Sequence, residues 1–544
     1  MPTLNWIGKD AVEHHHAEVP YRLVHCDGEL SAGDPDAGNL LVQGDNLEAL
    51  KALLPYYGGR VKCIYIDPPY NTGNEGWVYN DNVASPEIKA WLGKVVGKEA
   101  EDLSRHDKWL CMMYPRLRLL REFLREDGVF VVSIDDTELH HATLLSSEIF
   151  GSHNHIGNIV WNKKASPAND ATYFSGDHEY LCVFAKNAKV WRPNRQSHNE
   201  RQLKNYSNPD SDRRGAWNSA ALTCAKTADE RPNLYFPILN PNTGEEIWPR
   251  RTRVWAYGPD MMAKLIDENR LYWGKDGASK SPRIKKFLCD AKPVVPRSVW
   301  GIDQAGSTQN ANTEIREIFG DIAAFPTPKT SKLLEKLISI CSDPGDLILD
   351  SFAGSGTTGH SVLSLNRKSG SERKFILVEM DETIAPKITA ERLRRVIDGY
   401  DKGGDPEKPV EGLGGGFRYC RLGVPLFNEF GDIDTAVAFP DLAAHIFFAE
   451  TSAPIPSKAS GNSSYLGKHG DKAVYLLFAP GQEGTPRETL GNVLTPDALT
   501  ALPAPPDGFE GARVVYAEGT TVSPDRLKAE GVVFKQIPYQ IEGA

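Results

Sequence analysis

Long apolar runs, clustered cysteines and a leader-like start are all missing from this 544-residue chain. No stretch reaches the about 18 uncharged apolar residues that a membrane-spanning helix needs. The first residues, Met1-Pro2-Thr3-Leu4-Asn5, lack the basic and then apolar layout of a signal peptide. We therefore expect no membrane span, no signal-directed secretion and a cytoplasmic location.

The eight cysteines stand singly, with no Cys-x-x-Cys pair and no Cys/His set at zinc-ligand spacing. That usage is typical of structural thiols in a reducing compartment. The run His14-His15-His16 is predicted to lie in an exposed N-terminal loop, because three adjacent side chains in an extended segment point in different directions. The sequence therefore predicts no metal site.

Positive charge is scarce overall but concentrated in the middle of the chain. The sequence carries 62 Lys and Arg against 72 Asp and Glu, a net charge of -10. Between Lys186 and Trp300, however, 22 basic residues stand against 12 acidic ones, whereas Asp401–Ala544 holds 12 basic and 19 acidic residues. A basic middle between acidic flanks indicates contact with a polyanion, because only the docking face needs positive potential.

Short apolar runs recur through most of the chain. They are Leu40–Val42, Val61–Ile66, Val129–Ile134, Leu181–Phe184, Leu347–Leu349 and Phe375–Val378. Runs that do not alternate with polar residues suit strands buried on both faces of a parallel sheet. Helical patterns such as Asp107–Glu126 and Ser331–Cys341 lie between them. This alternation predicts a doubly wound α/β domain.

The alternation stops at about residue 187 and resumes at about residue 300, which predicts an inserted domain at 187–299. The insertion divides the α/β domain into halves at 38–186 and 300–400. Residues 1–37 are predicted to form an N-terminal extension. The Gly-rich stretch 401–416 is typical of a linker, and 417–544 is predicted to be a separate acidic α+β domain.

Two loops contain the candidate catalytic and ligand-binding residues. The first is Asp67-Pro68-Pro69-Tyr70, directly after an apolar run. The prolines fix φ and remove two N–H donors, so the loop is rigid and offers free carbonyl acceptors. Asp67 and the Pro68 carbonyl could each accept one N–H of an NH2 group on a planar substrate, while Tyr70 stacks on its ring. The alternative is a plain Pro-Pro turn in which Asp67 acts as a cap.

The second loop, Asp350–Thr358, follows an apolar run and opens a helix. Its glycines, Gly354 and Gly356, let a ligand approach the backbone closely, and Glu379 at the end of the next run is placed to accept ribose hydroxyl groups. The loop lacks a third glycine and a P-loop lysine, which argues against a pyrophosphate or nucleoside triphosphate ligand.

The two loops belong to a longer series of motifs in a set order, with a variable region between them. The motifs are Leu41–Leu47, Ile64–Gly73, Tyr79–Asn82, Gly128–Asp136, His178–Tyr180, Phe325–Thr330 and Asp350–Thr358. In these residues the sequence resembles the β-class amino DNA methyltransferases and, within them, the modification subunits of type III restriction-modification systems. The resemblance covers residues 38–186 and 300–400.

The resemblance implies a Rossmann-like methyltransferase fold that uses S-adenosyl-L-methionine, with the insertion as target-recognition domain. It implies methylation of the N6 amino group of a flipped adenine, because an amine inside a duplex is inaccessible. The implied catalytic residues are Asp67, Pro68, Pro69 and Tyr70. The implied cofactor-binding residues are Asp45, Asn46, Asp67, Thr327, Lys329, Asp350, Phe352, Ala353, Gly354, Ser355, Gly356, Thr357 and Glu379.

The same resemblance implies double-stranded DNA as a partner, a homodimer, and a restriction (helicase-nuclease) subunit in a restriction-modification or related phage-defence system of bacteria. The stretches Gly416–Tyr419 and Val533–Tyr539 resemble a domain that partners use. A solitary methyltransferase with an accessory C-terminal domain is the alternative.

Other activities stay open or are disfavoured. Methylation at cytosine C5 needs a cysteine, usually after proline, and no cysteine here follows one. N4-cytosine methylation uses the same acceptor geometry, although Asp at the first loop position favours adenine in the family. RNA guanine methyltransferases with a similar loop carry the glycine loop first. A catalytically silent DNA-specificity subunit is the non-enzymatic alternative, and two intact loops argue against it.

Basic residues and tryptophans interleave in the insertion. We predict that five arginines there contact DNA phosphates: Arg213, Arg214, Arg250, Arg251 and Arg253. Cation–π packing at the edge of a small core is the alternative. His178 and Glu179 are expected either to orient the catalytic loop or the target base, or to be buried structural polar residues.

Overall fold

The computed structural model describes residues 3–72, 104–167, 173–198, 203–320, 325–428, 431–451, 453, 455–457, 459–479, 491–505 and 508–538. The motif residues 73, 79–82 and 539 lie outside these ranges. The chain divides into two compact units. The main unit comprises Met1–Asn194 and Arg297–Ala544, and the inserted unit comprises Arg195–Pro296.

The strands are numbered in chain order. They are β1 (Arg22–Gly33), β2 (Leu40–Gln43), β3 (Val61–Ile66), β4 (Leu124–Ile134), β5 (His155–Asn162), β6 (His178–Ala185), β7 (Trp217–Ala221), β8 (Ile238–Leu239), β9 (Glu246–Ile247), β10 (Leu271–Tyr272), β11 (Arg283–Phe287), β12 (Val299–Trp300), β13 (Leu347–Asp350), β14 (Lys374–Glu379), β15 (Gly399–Asp401), β16 (Pro409–Glu411), β17 (Gly416–Pro425), β18 (Tyr465–His469), β19 (Lys472–Leu476), β20 (Val493–Leu494), β21 (Ala512–Ala517), β22 (Gly519–Thr520) and β23 (Val532–Gln536).

The α-helices of the described residues are Lys9–Val12, His15–Glu18, Asn46–Tyr57, Arg105–Phe123, Leu139–Phe150, Pro259–Asp267, Ile302–Ala305, Thr308–Phe319, Ser331–Cys341, Thr357–Ser369, Glu391–Asp398, Phe439–Thr451, Pro496–Thr500 and Pro524–Ala529. A π-helical segment, Ala385–Ala390, leads into Glu391–Asp398. Across the residues that the structure describes, every helix is too short or too polar to cross a bilayer.

The central sheet of the main unit has ten strands in the order β1-β17-β2-β14-β13-β3-β4-β6-β5-β12. The six strands from β17 to β4 in this order run parallel to one another. Successive residues face opposite sides of the sheet, so Ile64 packs in one core while Cys63 and Tyr65 pack in the other. The predicted α/β class is confirmed.

A crevice is expected where β3 and β13 lie side by side, with Ile64 opposite Leu349. Helix Arg105–Phe123, the next described helix after β3, packs on one face of the sheet. Helix Thr357–Ser369, which follows β13, packs on the other face. When helices leave neighbouring strands toward opposite faces, a crevice opens at the carboxyl ends of those strands, and ligands bind there.

Two predicted elements differ in detail from the structure. The run Leu181–Phe184, predicted for a parallel sheet, lies in β6, which is antiparallel to both β4 and β5. An apolar run reports burial on both faces but not strand direction. The helix predicted over Asp107–Glu126 spans Arg105–Phe123, and Leu124 begins β4. Leu124 is buried, which satisfies an apolar position in a helix and in a strand equally well.

The predicted domain boundaries are wrong at both ends of the α/β domain. The extension at 1–37 contributes β1, and residues 417–425 lie in β17, which pairs with β1 and β2 in the central sheet. Both strands mix buried and exposed positions, so a search for fully buried runs passes over them.

The predicted linker 401–416 contains β16 and the end of β15, which pair with each other. His15 and His16 lie half-buried in a short helix rather than in an exposed loop.

A second sheet follows β17 in the main unit, in the order β18-β19-β21-β23. Its strands β19, β21 and β23 run parallel. Helix Phe439–Thr451 packs on one face and helix Pro496–Thr500 on the other. Parallel strands between helices are an α/β arrangement, whereas the sequence predicted α+β.

The inserted unit has a small core of its own, as the sequence predicted. Its three-stranded sheet has the order β10-β11-β7, and β8 and β9 form a separate hairpin. Trp255 and Trp273 are buried in this core, next to helix Pro259–Asp267. Trp191, which falls inside the predicted 187–299, packs instead in a core of the main unit.

Candidate active site

The loops that follow β3 and β13 line one cavity in the main unit. Side chains from the ends of β4 and β6 and from the segment before helix Ser331–Cys341 complete it. The lining residues are Tyr65, Asp67, Pro68, Pro69, Tyr70, Thr72, Asp135, Lys163, Glu179, Phe325, Thr327, Pro328, Lys329, Leu334, Asp350, Phe352, Ala353, Gly354, Ser355, Thr357 and Thr358.

Hydrogen bonds to helix Arg105–Phe123 hold the acceptor loop, Asp67–Tyr70, in place. The Pro69 carbonyl accepts a hydrogen bond from the indole N–H of Trp109 at 2.7 Å, and Trp109 is fully buried. The next residue, Asn71, has a left-handed φ of 58°, and its side-chain amide donates to the Arg105 carbonyl at 3.1 Å. Trp109 and Asn71 thus tie the end of the acceptor loop to helix Arg105–Phe123.

The Tyr70 hydroxyl lies at the centre of a hydrogen-bond network. It is 2.9 Å from Asp67 Oδ1, 3.0 Å from Glu179 Oε2 and 2.8 Å from Ser133 Oγ. Burial raises the pKa of Tyr70, and the two carboxylates raise it further, so the phenol stays protonated. A hydroxyl carries a single proton and donates to one of the carboxylates at a time. The network fixes the ring beside Asp67.

Lys329 is the cation that compensates the two carboxylates. Its Nζ lies 2.8 Å and 2.6 Å from the Asp67 oxygens and 3.6 Å from Glu179 Oε2. It also lies 4.9 Å from the centroid of the Tyr70 ring. Burial alone would lower the pKa of Lys329, but Asp67 and Glu179 together raise it to about 12. Lys329 therefore stays charged in the site.

The two carboxylates respond differently to the same surroundings. Burial raises the pKa of Asp67, and the attraction of Lys329 offsets this only in part. Burial would also raise the pKa of Glu179, but Lys329 and Lys163 together hold it below its ordinary value. Lys163 donates to Glu179 Oε1 at 2.8 Å. The surroundings therefore make Asp67 more basic than an ordinary aspartate and Glu179 less basic than an ordinary glutamate.

The glycine loop is anchored to the strand beside it. The Gly354 N–H donates to Glu379 Oε2 at 2.8 Å, and Glu379 is almost fully buried. Gly356 has a φ of 76°, and a Cβ there would come within 3.1 Å of the Thr389 side chain, so this position favours glycine. Burial raises the pKa of Asp350, at the start of the loop, to about 7.

Most of the predicted site residues line the cavity. They are Asp67, Pro68, Pro69, Tyr70, Thr327, Lys329, Asp350, Phe352, Ala353, Gly354, Ser355 and Thr357. Four others, Asp45, Asn46, Gly356 and Glu379, lie outside its lining. Asn46 donates to the Ser351 carbonyl at 3.1 Å, and Asp45 pairs with Arg116 at 2.9 Å. Asn46 thus supports the glycine loop from behind.

The structure places His178 and Glu179 in different surroundings, so they do not share one of the two predicted roles. Glu179 reaches the cavity, whereas the His178 ring bonds to Tyr180 at 2.8 Å. Neighbouring residues of a strand point to opposite faces, so these two cannot share one role. Sequence reasoning missed Lys163 and Ser133 as site residues. Lys163 carries no motif signal of its own, because the pairing of β5 with β6 brings it to Glu179.

The five arginines predicted to contact DNA differ in their surroundings within the inserted unit. Arg214 forms a two-pronged pair with Asp212 at 2.9 Å and 2.8 Å and lies 4.1 Å from the Phe287 ring centroid. This is the cation–π packing that was the alternative for the insertion. Arg250, Arg251 and Arg253 are exposed on one turn, and Arg213 is exposed as well.

A comparison with protein-family models identifies the class of the main unit. The model described as DNA methylase, for N6 and N4 methyltransferases, matches residues 61–391, a span that contains both loops. The chain belongs to this DNA methylase family. The resemblance found in the sequence motifs is confirmed. In this DNA methylase the acceptor loop precedes the glycine loop, and the inserted unit lies between them in the chain.

Named relatives show which kinds of DNA methyltransferase the chain is similar to. The chain is 32% identical over 458 residues to the Mod subunit of the type III restriction-modification enzyme StyLTI of Salmonella typhimurium, covering 79% of this chain and 68% of the relative. It is 32% identical to the EcoP15I Mod subunit of Escherichia coli, covering 71% and 66%. It is 31% identical to the type II methyltransferase M.KpnI of Klebsiella pneumoniae, covering 68% and 90%. The chain thus spans about two thirds of the length of these two Mod subunits.

Proposed function

We propose that this DNA methylase transfers a methyl group from S-adenosylmethionine to the N6 amino group of adenine in duplex DNA, as the modification component of a type III-like restriction-modification system. The main support for the proposal is the shared cavity, which is lined by both the acceptor loop Asp67–Tyr70 and the glycine loop Asp350–Thr358. One loop suits a planar amine, and the other suits a nucleoside. Two relatives are named as type III Mod subunits, which supports the system.

The acceptor loop activates the amine by hydrogen bonding. Asp67 and the Pro68 carbonyl each accept one N–H, which concentrates electron density on the nitrogen, and the Tyr70 ring stacks on the base. Bound S-adenosylmethionine would supply the methyl group and leave as the neutral thioether, and Asp67 would accept the proton that the methylated amine loses. The raised pKa of Asp67 favours that proton transfer.

The glycine loop fits S-adenosylmethionine, which supplies an electrophilic methyl group when bound. The buried carboxylate of Glu379 accepts the backbone N–H groups of Gly354 and Asp381 and has further lone pairs for ribose hydroxyl groups. Phe352 lines the cavity as an apolar surface for a purine ring.

A flipped base requires a contact that holds the duplex, and we assign it to the inserted unit. Its exposed arginines, Arg250, Arg251 and Arg253, share a turn that is closed by the Arg253 N–H and the Arg250 carbonyl at 2.9 Å. Arg251 forms a loose pair with Asp229 at 3.8 Å and lies 5.8 Å from the Tyr235 ring centroid. We assign phosphate contacts to this turn and to Arg213, because the guanidinium of Arg214 already serves the fold of the unit.

Reversing charge on this turn is expected to weaken DNA binding and its dependence on salt. Each lost phosphate contact lowers the slope of log affinity against log salt by about 0.9. The double variant Arg250→Glu/Arg251→Glu should therefore reduce the slope by about 2. Fluorescence anisotropy across a salt series measures both quantities. The double variant Lys468→Glu/Lys528→Glu makes the same charge change at exposed sites in the main unit and should leave the slope unchanged. Equal slopes in wild type and the arginine variant would remove the assignment.

Methyl transfer is expected to rise with pH as Asp67 ionises. Only the carboxylate accepts the amine proton, and burial raises the pKa of Asp67 above its ordinary value, so the rise falls at higher pH than for an exposed aspartate. Single-turnover rates over a pH series that begins near the ordinary aspartate pKa of about 4 locate the midpoint. Lys329→Met removes the charge that opposes the shift and should move the midpoint upward. A midpoint that stays in place would contradict this electrostatic account.

The decisive experiment is single-molecule sequencing, with modified-base detection, of DNA from a methylation-free host that expresses the wild type or Asp67→Ala. N6-methyladenine at one short motif on one strand, absent with the variant, supports the proposal. N4-methylcytosine would instead establish N4-cytosine methylation, which the same acceptor geometry permits. No modified base from the wild type would favour the catalytically silent specificity subunit.

The proposal extends to partners and location. Two relatives carry the name Mod subunit of a restriction-modification enzyme, so we assign this chain a restriction subunit as partner and double-stranded DNA as substrate. Homodimerisation stays a prediction. We place the protein in the bacterial cytoplasm, where its DNA substrate lies.

A further inference from the structure

A second cluster of polar side chains lies behind the acceptor loop, outside the lining of the cavity. His106 Nδ1 is 2.7 Å from Glu138 Oε1, and His141 Nδ1 is 2.7 Å from Glu138 Oε2. The three ligand-type atoms lie within 4.8 Å of one another. Glu138 is fully buried, whereas the two histidine side chains are about one third exposed (37% and 32%). Solvent therefore reaches the cluster from the histidine side.

No lysine or arginine among the described residues balances the charge of Glu138. Its contacts in the described part of the chain are the two imidazoles and the side-chain amide of Asn71, and no described Lys or Arg forms an ion pair with it. A buried carboxylate without a compensating charge is costly, so it is paired or it coordinates a metal. The cluster therefore suits a bound cation, which would balance the Glu138 carboxylate.

We infer that His106, Glu138 and His141 bind a divalent cation of the zinc class. Two imidazole nitrogens and one carboxylate are a ligand set that zinc takes with a fourth position open to water. Bond lengths of about 2.0 to 2.2 Å place neighbouring ligand atoms about 3.3 Å apart in a tetrahedral site. The 2.7 Å contacts, which go to different oxygens of Glu138, would open by about 0.6 Å, and the ligand atoms, now within 4.8 Å of one another, would close around the ion. Both histidines stand at accessible positions on helices.

The site would join three parts of the main unit. His106 belongs to the first turn of helix Arg105–Phe123, and His141 to the first turn of Leu139–Phe150. Glu138 is the residue just before that second helix. Asn71, next to the acceptor loop, donates to Glu138, as residues behind a metal ligand commonly do. The cation would hold the base of the acceptor loop and has a structural role.

The test is metal binding by the full chain, produced without a polyhistidine tag and stripped with a chelator. Zn²⁺ is titrated by calorimetry and counted by elemental analysis, and Co²⁺ reports the ligand geometry by its visible absorption. We expect one tightly bound ion per chain and a higher melting temperature with Zn²⁺. Loss of a partner behind the ligands alone commonly costs about 10- to 100-fold in affinity, so His106→Ala and His141→Ala should each cost more than about 100-fold.

His140→Ala is the matched control, because His140 is an exposed neighbour on the same helix that belongs to no ligand group. It should bind the ion as the wild type does. Using two separate histidine variants protects the test against one that fails to fold. The inference is overturned if the wild type binds no ion more tightly than His141→Ala does. None of these readouts depends on methyl transfer.

Discussion

Replacing Asp67 by alanine is expected to lower the single-turnover rate of methyl transfer by at least about 100-fold, the usual cost of removing one preorganised group that stabilises charge in the transition state. The variant loses the acceptor for one amine N–H and the group that takes the departing proton. Lys329 loses its closest partner, so its charge would then face Glu179 alone. Transfer of a labelled methyl group to a duplex measures the rate, and DNA binding should persist.

Two further variants make the result specific. Asp67→Asn keeps the volume and an oxygen acceptor but removes the negative charge, so it should also be slow. Asp398→Asn changes an exposed carboxylate at the end of helix Glu391–Asp398 and should keep the wild-type rate. A rate for Asp67→Ala within a few-fold of wild type would refute the role of this carboxylate. A melting curve shows whether a slow variant is also unfolded.

Replacing Glu379 by alanine is expected to weaken cofactor binding by about 30- to 150-fold. The carboxylate is nearly fully buried and holds the Gly354 N–H at 2.8 Å. Losing a hydrogen bond to a charged group costs about 1.5 to 3 kcal/mol, and the same carboxylate is assigned to the ribose hydroxyl groups. Calorimetry with S-adenosylmethionine measures the dissociation constant directly.

The pattern of rate and affinity separates Glu379 from Asp67. Glu379→Ala should regain much of its rate at saturating cofactor, because Glu379 does not touch the amine, whereas Asp67→Ala should stay slow at any concentration. Glu382→Ala removes an exposed carboxylate three residues along the chain and should bind as the wild type does. An unchanged dissociation constant for Glu379→Ala would exclude the ribose contact.

The site could be predicted to the extent that its residues carry local signals. Two prolines after an apolar strand define a rigid acceptor loop wherever it occurs, and Gly356 at φ 76° is a position that favours glycine. Both loops were therefore found from the sequence, and both line the cavity. Lys163 has no such signal, because a lysine after a strand is ordinary on any protein surface.

The fold was predictable where strands are apolar along their whole length. The run Val61–Ile66 is reproduced residue for residue as β3, and helix Ser331–Cys341 is found as predicted. By contrast, β1 and β17 alternate between buried and exposed positions and were assigned to other domains. Their place in the central sheet depends on pairing between segments at opposite ends of the chain, and local pattern does not report that pairing.

The sequence by itself determined the two loops, the order in which they occur and the class of reaction, because backbone rigidity and side-chain chemistry are local properties of a few residues. Only the tertiary structure decided that β3 and β13 are neighbours, that Lys329 faces both Asp67 and Glu179, and that two histidines meet on Glu138. Most of these contacts join residues far apart in the chain. Strand pairing and side-chain direction establish them, and both arise only when the sheet is assembled.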